Sequence, residues 1–297
     1  MSNWLTLPCP AKLNLLLRIN GQLPNGYHQL QTLFQLLDYG DQLSLRTTPN
    51  DIRLLTPIPG VPDADNLIVK AALMLKQHAQ NPDLGCELKL EKILPMGGGI
   101  GGGSSDAATT LLGLNKLWKL DLPTDELANL GLQLGADVPV FVQGHSAWAE
   151  GVGEQLQPLE LPSLWYLVVH PPVHVSTADI FGHPQLTRNS PVITIRTALD
   201  LVALGQEPNA QAKVLNDCQP VVEHLFPPVK QALQWLHQYS PAYLTGTGAC
   251  VFAAFETAQQ AQETLARMPD ELLGNFAGFV AQGVNRSPVF SRLQSLD

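Results

Sequence analysis

A glycine-rich stretch at residues 95–106 carries the residues best suited to binding an anion. Six glycines between Gly97 and Gly103 are followed by Ser104 and Ser105, and then by a run with helical character. Because glycine adopts positive φ and has no side chain, successive backbone N–H groups can converge on a phosphate. The first turn of the following helix favours an anion at the same place. This stretch, named here the glycine loop, is predicted to bind a di- or triphosphate.

Three other interpretations of the glycine loop each require a further residue or a different sequence context. A Walker A loop needs a Lys before its Ser or Thr, and the glycine loop contains none. The pattern Gly97-x-Gly99-x-x-Gly102 matches a dinucleotide fingerprint, in which Asp121 would bind the ribose of an oxidoreductase cofactor. So many glycines satisfy many patterns, which makes this match weak. A flexible linker is disfavoured because a strand-like segment at 86–90 precedes the loop and a helix follows it.

Two polar sites lie within otherwise apolar segments. Lys12 and Asn14 are two residues apart in a strand-like run, so both side chains lie on one face. A buried lysine needs a partner or a cavity, whereas an edge lysine can extend its amine to water. Asp137 lies alone before Val138 and Pro139, where a carboxylate can cap a helix or accept a proton at the edge of a cleft.

Two glycine-containing turns have a structural and a functional interpretation. Asn25 and Gly26 predict a turn, since both residue types tolerate positive φ. Tyr27 and His28 directly after it could instead present a stacking face and ring nitrogens to a base. The segment 245–248 predicts a turn that joins two strands, with closure over a phosphate as the alternative.

Composition restricts the class of protein. The 297 residues, 45% apolar and 14% charged, predict a compact, soluble α/β protein with two domains. A net charge of −9 argues against a nucleic-acid partner, since phosphate backbones need a basic face. No apolar run has the length of a membrane span and no signal core is present, so we expect a cytoplasmic protein with no membrane partner. The cysteines are far apart in sequence and are predicted to be reduced core residues: Cys9, Cys86, Cys218 and Cys250.

Strand and helix patterns alternate along the chain. Strands are predicted at 11–17, 43–46, 87–93, 164–169, 242–244 and 249–255. Helices are predicted at 66–79, 124–134, 197–204, 229–238 and 258–268, the second of them ending at Gly135. The sequence changes character at 161–163, before a buried strand that prolines end. We therefore expect two domains, 1–162 and 163–297.

Three segments together resemble the GHMP kinase superfamily. They are an N-terminal segment with a Lys at 10–15, the glycine loop with its flanks at 95–108, and a glycine-rich turn at 244–251. The resemblance implies a ribosomal-protein-S5-like N-lobe and a ferredoxin-like C-lobe, with the site in the cleft between them. It also implies ATP as co-substrate with Mg²⁺.

Further segments narrow the resemblance to one activity. Residues 11–15, 26–34 and 135–139 are similar to those of an enzyme of the non-mevalonate isoprenoid pathway. That enzyme transfers the γ-phosphate of ATP to the 2-hydroxyl of CDP-methylerythritol, and a monomer or weak homodimer is expected. A homoserine- or mevalonate-type kinase would keep the loop and Asp137 but would not need to bind a base. A non-catalytic nucleotide sensor would need neither Lys12 nor Asp137.

The resemblance also implies a role for individual residues on the acceptor side. By position, Asp137 resembles the catalytic base and Lys12 its partner. The remaining residues implied to bind the acceptor are Asn14 at the methylerythritol end, Tyr27 and Phe181 as the aromatic pair that sandwiches cytosine, His28 at its polar edge, and Thr177.

The ATP side implied by the resemblance combines the glycine loop with two residues outside it. A hydroxyl at Ser105 could contact a phosphate-bound Mg²⁺. Gly182 departs from the family pattern, because related enzymes can carry a Lys after the aromatic residue. The residues implied to bind ATP are Asn66, Lys92, Pro95, Met96, Gly97, Gly98, Gly99, Ile100, Gly101, Gly102, Gly103, Ser104 and Ser105.

Overall fold

The computed structural model describes residues 4–205, 215–269 and 277–295. The strands within them are β1 (Leu5–Gln22), β2 (His28–Pro49), β3 (Ile52–Leu54), β4 (Leu84–Glu91), β5 (Ala147–Glu150), β6 (Gln155–Pro158), β7 (Trp165–His170), β8 (Ala242–Leu244), β9 (Val251–Phe255) and β10 (Ala277–Val284). The helices are α1 (Leu67–His78), α2 (Gly102–Leu117), α3 (Thr124–Leu132), α4 (Val138–Gln143), α5 (Thr177–Gly182), α6 (Ile195–Gly205), α7 (Gln219–Leu225), α8 (Pro227–Leu236), α9 (Ala258–Leu265) and α10 (Pro288–Gln294).

One mixed sheet joins all ten strands of the described residues. Its order is β3-β4-β2-β10-β7-β9-β8, while β1 and β5 pair with β2, and β6 pairs with β5. All pairings are antiparallel except that of β3 with β4. Because β10 pairs with both β2 and β7, the C-terminal part of the chain connects the two halves of the sheet.

The long hairpin of β1 and β2 is irregular next to the predicted site. Its register shifts between Pro10 and Lys12 and again between Asn14 and Leu16. Such bulges change the direction in which neighbouring side chains point and increase the local twist. Lys12 and Asn14 therefore lie between two irregularities, in the central part of β1 that is buried throughout.

Three apolar cores hold the elements together. The first packs α1, α2, α3, α4 and α10 on β1, β2 and β4, with Leu7 and Leu111 fully buried. The second packs α7, α8 and α9 on β7, β8 and β9. The third lies between them and includes Leu13, Tyr166 and Phe252. Because this third core contains residues from both halves, it fixes the two walls of the cleft relative to each other.

The sequence predicted most of these elements but not all their limits. The helix predicted at 124–134 ends at Leu132 with Gln133 as its C-cap, so the C-cap predicted at Gly135 is wrong. β1 and β2 extend well beyond the predicted strands, and α5 and β10 were not anticipated. The helix start expected after Asp137 is confirmed by α4. The four cysteines are free and buried, as predicted. Among the described helices, none combines the length and apolar character needed to cross a bilayer.

Candidate active site

The glycine loop follows β4 and leads into α2 with repeated left-handed backbone. Gly97, Gly99 and Gly101 have φ of 70°, 73° and 75°. A Cβ at Gly99 would lie 2.4 Å from the carbonyl oxygen of Thr245, and one at Gly101 would lie 2.7 Å from the Phe141 ring. Positive φ and close neighbours therefore require glycine at these positions.

A cavity of about 320 Å³ lies at the start of α2. The first hydrogen bond of this helix runs from Ser105 N–H to the Gly101 carbonyl at 2.8 Å. Helix geometry thus leaves the N–H groups of residues 102–104 without helical partners, at the positive end of the helix dipole. Twelve of the residues predicted on the ATP side line this cavity: Asn66, Lys92, Pro95, Met96, Gly97, Gly98, Gly99, Ile100, Gly101, Gly102, Gly103 and Ser104.

Ser105 differs from the rest of that predicted set. Its side chain is fully buried, and its Oγ has no hydrogen-bond partner. It is absent from the lining of the cavity, whereas the half-buried Ser104 lines this cavity and the adjoining one. The hydroxyl that faces the cleft is therefore that of Ser104.

Lys92 bridges two buried carboxylates beneath the loop. Its Nζ lies 2.5 Å from Asp41 Oδ2 and 2.8 Å from Asp106 Oδ2. Burial raises the pKa of Asp106 to about 7, against the opposing effect of Lys92. Burial alone would lower the pKa of Lys92, but the two carboxylates outweigh it and the pKa is raised. Since Asp41 also accepts the N–H groups of Ile93 and Leu94 at 2.5 and 2.7 Å, this group anchors the start of the loop.

The two polar atoms of the Asn66 side chain differ in their contacts at the wall of the cavity. Its Oδ1 accepts the Ile68 N–H at 3.0 Å and so caps α1. Its Nδ2 is buried without a hydrogen-bond partner. Since buried donors are nearly always satisfied in proteins, this amide has a free donor for a ligand in the cavity.

Lys12 and Asp137 form an ion pair at the inner wall of a second cavity of about 260 Å³. Lys12 Nζ lies 3.2 Å from Asp137 Oδ2 and 2.6 Å from Asn14 Oδ1. It also donates to the carbonyl of Gly99 at 3.2 Å. The Lys12 side chain is 3% exposed and that of Asp137 is 37% exposed. The alternative of an edge lysine extending to water is therefore excluded, and the carboxylate is the member of the pair that a ligand can reach.

Asp137 occupies the N-cap position of α4, which continues through Pro139 and ends at the left-handed Gly144. Its side chain makes no capping hydrogen bond. The helix thus positions the residue, while the carboxylate is directed to Lys12. The predicted helix start is confirmed, but the carboxylate does not cap the helix; it lies in the second cavity, and its role as a proton acceptor stays a prediction.

Asn14 is held by two threonines. Its Nδ2 donates to Thr32 Oγ1 at 2.8 Å, and Thr32 donates in turn to the Leu16 carbonyl at 2.6 Å. Its backbone N–H donates to Thr245 Oγ1 at 2.9 Å. Asn14 Oδ1 is consequently fixed toward Lys12, which orients the ammonium in the second cavity.

The turn at 245–248 joins β8 to β9 and also packs against the glycine loop. The N–H groups of Ala249 and Cys250 donate to the carbonyls of Gly97 and Gly98 at 3.2 and 3.0 Å. Gly246 and Thr247 line the second cavity. The turn therefore connects two strands, as predicted, and also forms one side of the cleft, while its closure over a phosphate stays a prediction.

A third cavity of about 550 Å³ lies at the outer end of the cleft. The Tyr27 side chain, 61% exposed, follows the predicted turn at Asn25 and Gly26, which the structure confirms with φ of 87° at Gly26. The His28 ring stacks on Phe181 with centroids 4.9 Å apart. Tyr27, His28 and Phe181 all line this cavity.

The second and third cavities are continuous. Ser176 is the N-cap of α5, and its side chain accepts the Asp179 N–H at 3.3 Å. Thr177 and Phe181 are four residues apart on this helix and so lie on one face. Both line the second and the third cavity, and Thr177 Oγ1 lies 2.9 Å from Thr247 Oγ1. At Gly182 an added Cβ would meet no atom within 4 Å, so the position has room for a side chain.

Three charged residues of the site were not predicted: Asp41, Asp106 and Arg188. Asp106 directly follows the glycine loop and is a lone charge at the start of a helix of small and apolar residues, a signal that was available. Arg188 donates to His28 Nε2 at 3.2 Å. It lies in a segment without regular structure, where the sequence offers no local indication of its partner.

The dinucleotide interpretation is wrong. The sixteen residues of α2 separate the glycine loop from Asp121. At 1.5 Å per residue, this helix is about 24 Å long, and Asp121 lies beyond its far end. Asp121 therefore cannot bind a ribose next to a pyrophosphate at the loop. The oxidoreductase alternative thus lacks the acidic residue that it requires.

Two family models match the chain, GHMP kinases N terminal domain over residues 66–145 and GHMP kinases C terminal over residues 196–273. A relative from Hahella chejuensis, described as 4-diphosphocytidyl-2-C-methyl-D-erythritol kinase, is 53% identical over 98% of this chain and 97% of its own length. One from Marinobacter nauticus with the same description is 51% identical over 98% of both chains.

Solved structures agree with these relatives. A crystal structure of 4-(cytidine 5'-diphospho)-2C-methyl-D-erythritol kinase has a TM-score of 0.79 at 30% identity, covering 94% of this chain and 99% of that one. A homoserine kinase from Cytophaga hutchinsonii has a TM-score of 0.69 at 18% identity, covering 97% and 96%, and supports the fold alone. The two-lobed mixed α/β fold inferred from the sequence is thereby confirmed. The chain belongs to the GHMP kinase family.

Proposed function

We propose that the chain transfers the γ-phosphate of ATP to the 2-hydroxyl of 4-diphosphocytidyl-2-C-methyl-D-erythritol in the non-mevalonate isoprenoid pathway. The observation that carries this proposal is the order of groups along one cleft. A phosphate-binding loop lies at its inner end, the Lys12–Asp137 pair in the middle, and a cavity with aromatic walls at its outer end. The identity of about half of all residues with relatives of that description supports the same activity.

The cavities along the cleft suit different parts of ATP and of the acceptor. The cavity at the start of α2 offers backbone N–H groups and a helix dipole to the phosphates of ATP. Ser104 and Gly99 line both this cavity and the second one, so the γ-phosphate would lie at their junction. The aromatic rings of the outer cavity suit a cytosine base, because bases stack on aromatic side chains.

The Lys12–Asp137 pair suits the transfer itself. Asp137 would accept the proton of the acceptor hydroxyl. The oxygen of that hydroxyl forms the new O–P bond to the γ-phosphate, and ADP leaves. Lys12, held by Asn14 and Gly99, would stabilise negative charge on that oxygen. In phosphoryl transfer most of the acceleration comes from positioning and charge neutralisation, which fits a site whose cation is already fixed.

Mg²⁺ fits the oxygen groups that face the junction of the two cavities. The described residues contain no group of three or more His, Cys, Asp or Glu side chains placed to hold a metal ion. Mg²⁺ commonly binds through one or two protein oxygens together with substrate phosphates. We therefore propose the Ser104 hydroxyl, which lines both cavities, rather than that of Ser105, as the side-chain oxygen near it. When bound, the ion would neutralise phosphate charge.

We also propose that the two lobes divide at residues 162 and 163. The sheet continues across this boundary, and β10 returns to pair with β2 through Gly283 and Val284. The following α10 packs on the first core through Val289. The second domain thus contributes its last elements to the first, which favours a cleft with fixed walls over two independent units.

The experiment that tests the function measures ADP release from ATP and Mg²⁺ with two acceptors. One is the cytidylated compound, and the other is methylerythritol 4-phosphate, which lacks the cytidine. Turnover of the cytidylated compound alone is expected. Turnover of neither compound would contradict the proposal and favour another acceptor, such as those of the homoserine- or mevalonate-type kinases.

A further inference from the structure

Arg188, between α5 and α6, contacts two residues that line the outer cavity. Its Nε donates to His28 Nε2 at 3.2 Å. Its Nη2 donates to the carbonyl oxygens of Phe181 and His183 at 2.7 and 2.9 Å, and its Nη1 donates to that of Leu186 at 3.3 Å. One guanidinium therefore ties the start of β2 to the end of α5.

This contact decides which form His28 takes. A guanidinium stays protonated and has donors but no acceptor, so His28 Nε2 must provide the lone pair. A neutral ring then carries its proton on Nδ1. Burial, and after it the positive charge of Arg188, lower the pKa of His28, in agreement with a neutral ring.

The form of His28 matters for the base that the outer cavity can accept. His28 and Phe181 line that cavity with their rings stacked on each other. Cytosine has acceptors at N3 and O2, whereas uracil has a donor at N3. A ring whose Nε2 is already occupied can offer only its Nδ1–H, which is complementary to cytosine N3 and opposes the N3–H of uracil.

We propose that Arg188 is a positioning residue that fixes His28 as the Nδ1–H form and holds the backbone at Phe181, so that the outer cavity selects cytosine over uracil. This inference rests on the proposed function, since it concerns the base of the same substrate. Arg188 touches no reacting atom and acts through the two residues that it holds.

The first test reads the histidine ring directly. Long-range ¹H–¹⁵N spectra of the labelled full-length chain are recorded at slightly alkaline pH, and His28 is assigned by its loss in His28→Gln. The expected spectrum shows a protonated Nδ1 and an unprotonated Nε2, and Arg188→Met is expected to lose this preference. A wild-type ring with its proton on Nε2 would overturn the proposal without the need for any variant.

The second test measures base selection with CDP and UDP as calorimetric probes. Since one net hydrogen bond contributes about 0.5–1.5 kcal/mol, Arg188→Met is expected to reduce the preference for CDP over UDP by about 2- to 13-fold, with the KM for ATP unchanged. Arg196→Met is the matched control, because its side chain is 86% exposed and pairs with Asp200 on the same helix. A retained preference in Arg188→Met would contradict the proposal.

A third variant, Arg188→Lys, keeps the proposal testable if Arg188→Met does not fold. Arg188→Lys keeps the charge, but the donors of its single ammonium group cannot reach all the acceptors of the planar guanidinium, so an intermediate preference is expected. If Arg188→Met unfolds, the same comparison is made with Arg188→Lys, and an unchanged preference there overturns the proposal. Failure of the wild type to bind CDP or to phosphorylate the cytidylated acceptor would instead contradict the proposed function. A proton on Nε2 in a chain that binds CDP would overturn the role of Arg188 alone.

Discussion

The inner and outer ends of the cleft are built from different parts of the chain. The inner end is lined by backbone N–H groups and glycines with positive φ, fixed from below by Lys92 and two carboxylates. The outer end is lined by side chains from a hairpin turn and a short helix, one of them the largely exposed Tyr27. The first arrangement requires glycine at Gly97, Gly99 and Gly101, whereas the second is defined by side chains.

This difference separates two tasks. A loop of backbone groups binds any polyphosphate of the right length, because it contacts only atoms that all such ligands share. A cavity of side chains distinguishes one base from another through ring contacts and hydrogen bonds. We therefore expect changes at the inner end to affect turnover or folding, and changes at the outer end to affect the affinity for the acceptor.

The largest effect is expected for Asp137→Ala. Removal of a general base lowers turnover by about 10²–10⁴-fold, while the KM for ATP should change little because the phosphate loop is untouched. Steady-state kinetics with both substrates varied would measure this. Asp137→Glu is the companion variant that keeps the charge. Near-normal turnover in Asp137→Ala would remove the residue from the chemistry.

At the outer end, Tyr27→Ala should raise the KM for the cytidylated acceptor. Base stacking on an aromatic side chain contributes about 1–3 kcal/mol, which corresponds to roughly 5- to 150-fold. The value of kcat at saturation should stay close to that of the wild type. Tyr27→Phe retains the ring and is expected to retain the affinity. An unchanged KM in Tyr27→Ala would place Tyr27 outside the substrate site.

The rigidity of the inner end is tested by Gly101→Ala. Its φ of 75° and the Phe141 ring 2.7 Å from a new Cβ oppose any side chain. We expect the free energy of unfolding to fall by about 1–3 kcal/mol in urea titrations. At Gly103 the nearest atom to a new Cβ is Leu67 Cδ1 at 3.5 Å, so Gly103→Ala should be no less stable than the wild type. Equal stability of both variants would show that the loop adapts to a side chain.

The smallest effect is expected at Gly182. No atom lies within 4 Å of a Cβ there, and φ is not positive, so Gly182→Lys should fold normally. Because the family pattern allows a Lys after the aromatic residue, the KM for the acceptor should stay within about threefold, less than the effect of one good hydrogen bond. A loss as large as that of Tyr27→Ala would mean that the outer cavity is narrower than its walls indicate.

The sequence predicted the glycine loop at the inner end better than the side-chain contacts in the rest of the cleft. The glycine loop was predictable because its function depends on residues adjacent in the chain and on backbone geometry. The contact of Lys12 with Asp137 depends on how β1 packs against α4, so neither residue alone indicated its partner, and the family resemblance supplied the pair. Ser105 was assigned from the motif, but the helical rotation turns its side chain inward and leaves Ser104 at the cleft.

The contacts of Arg188 could not be predicted from the neighbouring residues in the sequence. Its bonds to His28 and to the end of α5 arise from the path of a loop that no periodicity describes. The length of β2 was underestimated because residues 31–37 are buried on both faces, so the alternation that indicates a strand is absent there, and only the alternating segment 43–46 was predicted.

The central claim, that the Lys12–Asp137 pair in the middle of the cleft carries the transfer and the outer end controls acceptor binding, is tested most directly by single-turnover measurements. Asp137→Asn and Tyr27→Ala are compared at saturating ATP and saturating cytidylated acceptor. The account predicts a transfer rate at least 100-fold below the wild type for Asp137→Asn and a nearly normal rate for Tyr27→Ala. Equal losses in the two variants, or the reverse order, would contradict it.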